Sequence, residues 1–224
     1  MLIDDNINRF HAGLTQVYDW VLRTDADELI CVDPDRHDSL HDMLAAQDTP
    51  VVTALGFDVV EMPDDPALTD GPVLSQRRNI AFSGHYFKAV AARRAIGFAL
   101  HGVRVAPRRL EQFPFVMPRG LFLAHLKFAN GRALDDATQV RMALANGAEP
   151  GLPGAGWQQA EADRLQFLQG FAAKPERPWA QAEAAAFETL SVKPSRNTAR
   201  NIVKARALKM PWRTCLPDRF SGLG

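Results

Sequence analysis

A chain of 224 residues, 46% hydrophobic and 23% charged with a formal net charge of +0, carries enough apolar material for one sizeable core. Neutrality excludes a nucleic-acid binder held by bulk electrostatics. No apolar run approaches the roughly 18 residues that span a bilayer, and Met1-Leu2-Ile3-Asp4-Asp5 lacks the basic and apolar regions of a signal peptide. Cys31 and Cys215 have no companions at metal-site spacing, which predicts two free thiols and a cytoplasmic location.

In chain order, Asn6 to Tyr18 predicts a helix with Ile7, Phe10, Leu14 and Val17 on its inward face. Trp20 to Thr24 predicts a buried central strand. Ser39 is placed to cap a helix running to Gln47, and Pro50 separates it from a strand over Val51 to Val60. Glu61 to Pro72 holds three prolines and four acids and is expected to be a loop. Strand-like segments recur around Val73 to Gln76, Tyr86 to Ala91, Gly102 to Ala106 and Leu121 to Phe128. Helical patterns follow over Leu134 to Asn146, Trp157 to Ala172 and Trp179 to Leu190, with a Gly/Pro linker from Gly147 to Gly156. The pattern predicts an α/β core over residues 1–132 and a helical C-terminal region, 133–224, ending in a basic tail.

Neutrality conceals a segregation of charge. Asp25 to Asp70 holds thirteen acids against one base, Leu74 to Arg132 eleven bases against one acid, and Lys193 to Arg213 seven bases and no acid. Folded together, the first two blocks set carboxylates beside cations, as a metal bridged to a pyrophosphate requires. The alternative is mutual neutralisation at a solvated surface. The basic tail interleaves Ile202, Val203, Leu208, Met210 and Trp212 with its cations, which suits either a membrane-surface contact or a helix folded back on the acidic block.

The stretch richest in chemistry is Asp25-Ala26-Asp27-Glu28, just after the apolar run Trp20 to Thr24. Ligands of open α/β sheets bind at such strand ends. One aspartate can accept from a ribose hydroxyl while the other holds Mg2+ or Mn2+ through oxygen, the cation stabilising a leaving diphosphate. Lys88 interrupts an apolar strand and is placed to neutralise phosphate. Arg77 and Arg78 can grip it in two-point geometry. Transfer to a hydroxyl acceptor needs a carboxylate to take its proton, and Asp58 and Glu61 lie nearest the end of the Val51 to Val60 strand.

Trp20 through Ile30 resembles the "W-apolar-apolar-x-x-D-x-D-E-apolar" stretch of family-2-like bacterial glycosyltransferases of GT-A fold. Ser75-Gln76-Arg77-Arg78, Tyr86-Phe87-Lys88, Gly97-Phe98-Ala99-Leu100-His101 and Leu121 to Lys127 resemble further landmarks of that group. The resemblance covers about residues 6 to 130. It implies a GT-A-like (Rossmann-like) mixed sheet, N-terminally incomplete because one helix alone precedes the Asp-x-Asp, with an unsatisfied sheet edge that favours homo-oligomers. It also implies transfer of a sugar from a nucleotide-sugar donor to a glycan or lipid-linked acceptor at the inner membrane surface. A later histidine, His125 or else His101, would join Asp25 and Asp27 as a ligand of Mn2+ or Mg2+. Two other functions fit the residues: a non-catalytic binding module of the same descent, and a haloacid-dehalogenase-like phosphohydrolase. The second needs a further acidic pair after an apolar strand, and Asp135-Asp136 falls in a helical pattern instead.

Overall fold

The computed structural model describes residues 2–145 and 160–223, a mixed α/β architecture around a curled mixed sheet. Its spine is β3 (Val51–Val60), ten residues buried without exception. A strand covered on both faces reads as a continuous apolar run, which is what this segment is. One edge of β3 is shared: its first half pairs antiparallel with β5 (Lys88–Ala92), its second half with β4 (Asn79–Phe82). The other edge pairs parallel with β8 (Leu121–Phe128), and β8 pairs antiparallel with β2 (Glu28–Val32). The two-residue strand β1 (Val21–Leu22) lies outside β5, and β11 (Thr214–Cys215) outside β4.

Alternation along β3 and β8 sorts their side chains. Leu55, Phe57, Val59, Phe122 and Ala124 pack on one face against Ala182, Ala186 and Leu190 of α6 (Trp179–Leu190). Val52, Ala54, Leu121 and Leu123 pack on the other with Met43 and Leu44 of α2 (Leu40–Ala45). By the same parity Gly56, Asp58 and His125 lie on this second face. A smaller sheet, β6 (Gly97–Ala99), β7 (Gly102–Arg104), β10 (Ile202–Lys204) and β9 (Ser195–Asn197), joins the first through Val51, Ala89, Phe98, Val103 and Val203.

The curl follows from one short connection. β1 and β2 lie four strand spacings apart along the sheet, about 19 Å if it were flat. Only residues 23–27 join them, and these contain a turn closed by Glu28 N–H to Asp25 O. So short a loop draws the outer strands together, and it crosses the face that carries Asp58 and His125.

Several expectations are corrected. The Trp20 to Thr24 segment forms an edge strand, not a central one: only Val21 is buried, and Leu22 is exposed. The helix α1 (Leu2–Leu14) ends before Val17, leaves Ile7 and Phe10 exposed, as Val17 is in the turn beyond, and buries His11 against the Phe98 ring. Residues 73–76 form a helical turn, α3 (Val73–Gln76). Among the described residues after 132, α-helix is confined to α4 (Gly131–Ala145), α5 (Ala160–Ala172) and α6; beyond these the region contributes β9, β10 and β11 to both sheets. The expected linker and the ends of its flanking helices, residues 146–159, lie outside the described residues. In the basic tail Ile202, Val203, Met210 and Trp212 are buried, so they are not available to a membrane. No helix among the described residues is long and apolar enough to cross a bilayer.

Candidate functional site

Register creates the centre of the site. Asp58 of β3 and His125 of β8 are paired across parallel strands, and Asp58 Oδ1 accepts from His125 Nδ1 at 2.8 Å. The turn before β2 lays its backbone along the end of β8, where Leu126 N–H donates to Asp27 O, and this brings Asp27 Oδ2 to 3.5 Å from His125 Nε2. The imidazole thus stands between two carboxylates, one on each nitrogen. Tyr86 stacks on it, ring centroids 3.8 Å apart. Gly56 makes that stacking possible, since a Cβ there would lie 2.3 Å from Tyr86 O.

Burial tends to lower the His125 pKa, but the hydrogen bonds to Asp27 and Asp58 outweigh it and hold it above the usual histidine value. Burial pushes the Asp58 carboxyl up, against the bond from His125. The His125 hydrogen bond holds Asp27 low. Both members of the Asp58–His125 pair are therefore shifted toward holding a proton in the fold, and Asp27 toward its ionised form.

Asp25, the other motif aspartate, faces Lys88. The ammonium is 2.8 Å from both Asp25 Oδ2 and Glu28 Oε2, with side chains 8% exposed for Lys88, 4% for Glu28 and 60% for Asp25. Acidic and basic blocks meet here as the charge pattern predicted, but through direct pairing. The same holds for Arg77 and Arg78, expected to bind phosphate. Arg77 is fully buried, donating to Glu61 Oε1 at 2.5 Å and to the carbonyls of Gln76 and Ala129. Arg78 is held by Leu216 O and Asp218. Both guanidiniums brace the fold through these partners.

The two carboxylates expected as acceptor base are likewise committed. Glu61 holds Arg77 and accepts from Gly131 N–H, and Asp58 is buried beneath His125. His101 sits apart from His125, its Nδ1 on His85 O and its ring 6.3 Å from Tyr86.

Among the described residues no three His, Cys, Asp or Glu side chains are grouped to hold a metal ion by themselves. The pair Asp27 and His125 nevertheless suits one. A carboxylate on Nδ1 holds the ring so that Nε2, once a cation displaces the proton it shares with Asp27, can serve as a ligand, and two ligand atoms about 2.1 Å from one cation lie about 3 to 3.5 Å apart. Mg2+ and Mn2+ commonly take one or two protein ligands and complete their shell with water and substrate phosphates.

The residues missed from sequence are Tyr86, Glu28, Lys204 and Lys209. Lys204 and Lys209 line a cavity of about 370 Å3 together with Asp58 and Tyr86. A second opening of about 250 Å3 borders Asp25 and Lys88. Set against protein-family models, curated proteins and solved structures, the chain matches none.

Proposed function

We propose that this protein is a glycosyltransferase of GT-A type that uses a nucleotide-sugar donor and a divalent cation. The observation that carries it is the convergence of Asp27 with His125 Nε2, 3.5 Å apart, over an Asp58 that fixes the imidazole. The Asp-x-Asp turn and the later strand histidine, linked in sequence only by resemblance, share one face of the sheet. A bound cation would supply charge stabilisation for a leaving diphosphate. Asp27 and His125 would hold it, Asp58 orients the imidazole, and Asp25 with Lys88 borders the second opening.

A non-catalytic nucleotide-sugar-binding module is favoured by one observation, that Asp58 and Glu61 are both engaged within the fold. The phosphohydrolase is disfavoured, because Asp135 lies on α4 in an ion pair with Arg164. Titration calorimetry with UDP, GDP and their sugars, with Mn2+ and with chelator, tests the proposal. Binding should require the cation and be lost in Asp27→Asn. Metal-independent binding, or an Asp27→Asn variant that binds normally, would overturn it. Sugar transfer from the bound donor then separates the enzyme from the binding module.

A further inference from the structure

Beneath the Tyr86 ring, on the Asp58 side of His125, the roughly 370 Å3 cavity falls in the size range of small-molecule sites, about 300–1,000 Å3. Asp27 does not line it; His85, His101, Lys204 and Lys209 do. Lys174 approaches the same ground, its field acting on Asp58 alongside that of Lys209. Among the described residues no carboxylate forms an ion pair with Lys204 or Lys209. The one acid in the lining, Asp58, is already bonded to His125.

The walls are assembled by close backbone approaches. Gly84 admits the 206–208 segment, where a Cβ would meet Arg206 O at 2.2 Å, and Gly84 N–H donates to Leu208 O. That contact sets Lys209 opposite Ser83. Gly102 admits β10, where a Cβ would meet Val203 O at 2.3 Å, and β10 ends in Lys204. The rim is made by Leu100 and His101, consecutive left-handed residues with φ of 48° and 68° in the two-residue turn between β6 and β7. Such turns are ordinarily built from Asn and Gly. A leucine and a histidine are strained there, and strain of this kind collects at ligand sites.

We infer that this cavity is a subsite for a phosphate-type anion, gripped by Lys204 and Lys209 and independent of any cation at Asp27. The inference concerns the far side of the proposed transferase site but does not need that function to hold. The anion has two chemical sources, the diphosphate of a nucleotide donor or a phosphate carried by the acceptor.

Inorganic phosphate titrated calorimetrically into the full chain, with chelator present, is the test. Saturable binding in the millimolar range is expected. It should weaken at least tenfold in Lys204→Gln/Lys209→Gln, as loss of two charge-assisted contacts implies, and several-fold in Lys209→Gln alone, an exposed position that leaves folding intact. Asp27→Asn should leave it unchanged, so that failure of the cation site and failure of the anion subsite are told apart. Competition by UDP with Mn2+ would assign the anion to the donor; simultaneous binding would assign it to the acceptor. No saturable phosphate binding, or equal affinity in Lys209→Gln and the double variant as in the parent, would overturn the inference.

Discussion

His125 Nδ1 stands 2.8 Å from Asp58 Oδ1, the two residues in register on adjacent parallel strands and both buried. An unpaired carboxylate at that depth would carry a large desolvation cost, so the imidazole completes the core as well as facing Asp27. A proton shared by this pair ties the fold to pH. In the unfolded chain the histidine titrates near 6.5, and its folded value is higher. Its stabilisation is therefore complete below pH 6.5 and is lost as pH rises through the folded value. Asp58 is raised from 3.8 by its burial, so its contribution too is lost as pH rises from that value toward the folded one. Asp27 is lowered from 3.8 and loses its contribution only as pH falls below that value. His11 and His85, lowered mainly by burial, act in the opposite direction below 6.5.

The pair is isolated by comparing the parent with His125→Gln/Asp58→Asn, which keeps an amide hydrogen bond in place of the titrating one. Above pH 6.5 the parent should lose stability relative to the variant, by up to about 1.4 kcal/mol per pH unit for one proton. Urea unfolding at several pH values between about 6 and 9 measures it. A pH-independent difference would mean that the pair holds no extra proton in the fold.

Lys88 is the next test. Its ammonium neutralises a buried Glu28 carboxylate and an exposed Asp25. Removing one partner of a buried pair costs about 3–5 kcal/mol, whereas an exposed pair is worth about 0–1. Lys88→Met should therefore destabilise by about 2–4 kcal/mol, almost all of it through Glu28. Adding Glu28→Gln should recover most of the loss, and adding Asp25→Asn should recover little. Denaturant unfolding of the double-mutant cycle decides it.

Much of this fold is legible in the sequence where apolar runs are long. β3, β8 and α6 occupy the predicted segments Val51–Val60, Leu121–Phe128 and Trp179–Leu190. Errors cluster where a short apolar run has two homes. Trp20-Val21-Leu22 suits a core strand and an edge strand equally, and pairing with β5 alone settles it as an edge. The face of α1 was misassigned because its partner, Phe98, lies ninety residues away: Asn8 brackets the Phe98 backbone and turns His11 inward. β9 and β10 are three residues each, too short to show a period of two. At the site, Asp58 and His125 each interrupt an apolar stretch, and Asp27 stands out in the acidic turn that follows one. Their meeting was not, because it depends on the register of parallel strands 67 positions apart. Arginine in a phosphate-binding pattern and arginine buried on a glutamate look alike until Glu61 is placed.

Arg77 follows from that distinction. Buried, with Glu61 at 2.5 Å and two carbonyls on its remaining nitrogens, it joins β3, β8 and α3. Arg77→Ala should cost about 3–5 kcal/mol. Arg77→Lys should recover only part of this, since an ammonium cannot reproduce the fork. At temperatures where Arg77→Lys remains folded, nucleotide affinity should equal that of the parent. A large affinity loss in a folded Arg77→Lys would return this residue to the phosphate-binding role its sequence context suggested.

The last prediction concerns Gly56, whose missing side chain shapes the site without touching it. It lies on β3 two residues before Asp58, on the same face, beneath the 83–87 segment. A Cβ there would stand 2.3 Å from Tyr86 O and 3.0 Å from the Phe87 ring. The first obstacle is backbone, so relief requires moving the segment, not rotating a side chain. Overpacking of this kind costs about 1–3 kcal/mol. Gly56→Ala should therefore lose about that much stability and lift Tyr86 from His125, whose ring it covers at 3.8 Å. The chain has two tyrosines, and Tyr18 is exposed in the segment after α1, so the ring resonances of Tyr86 are readily assigned by NMR. In the parent, ring-current shifts between Tyr86 and His125 should be large, and they should collapse in Gly56→Ala. Exposing the imidazole also relieves the burial that lowers its pKa, so with Asp27 and Asp58 still in place His125 should titrate higher still. Unchanged shifts with unchanged stability would show that the 83–87 segment yields freely and that Gly56 is not what seats Tyr86.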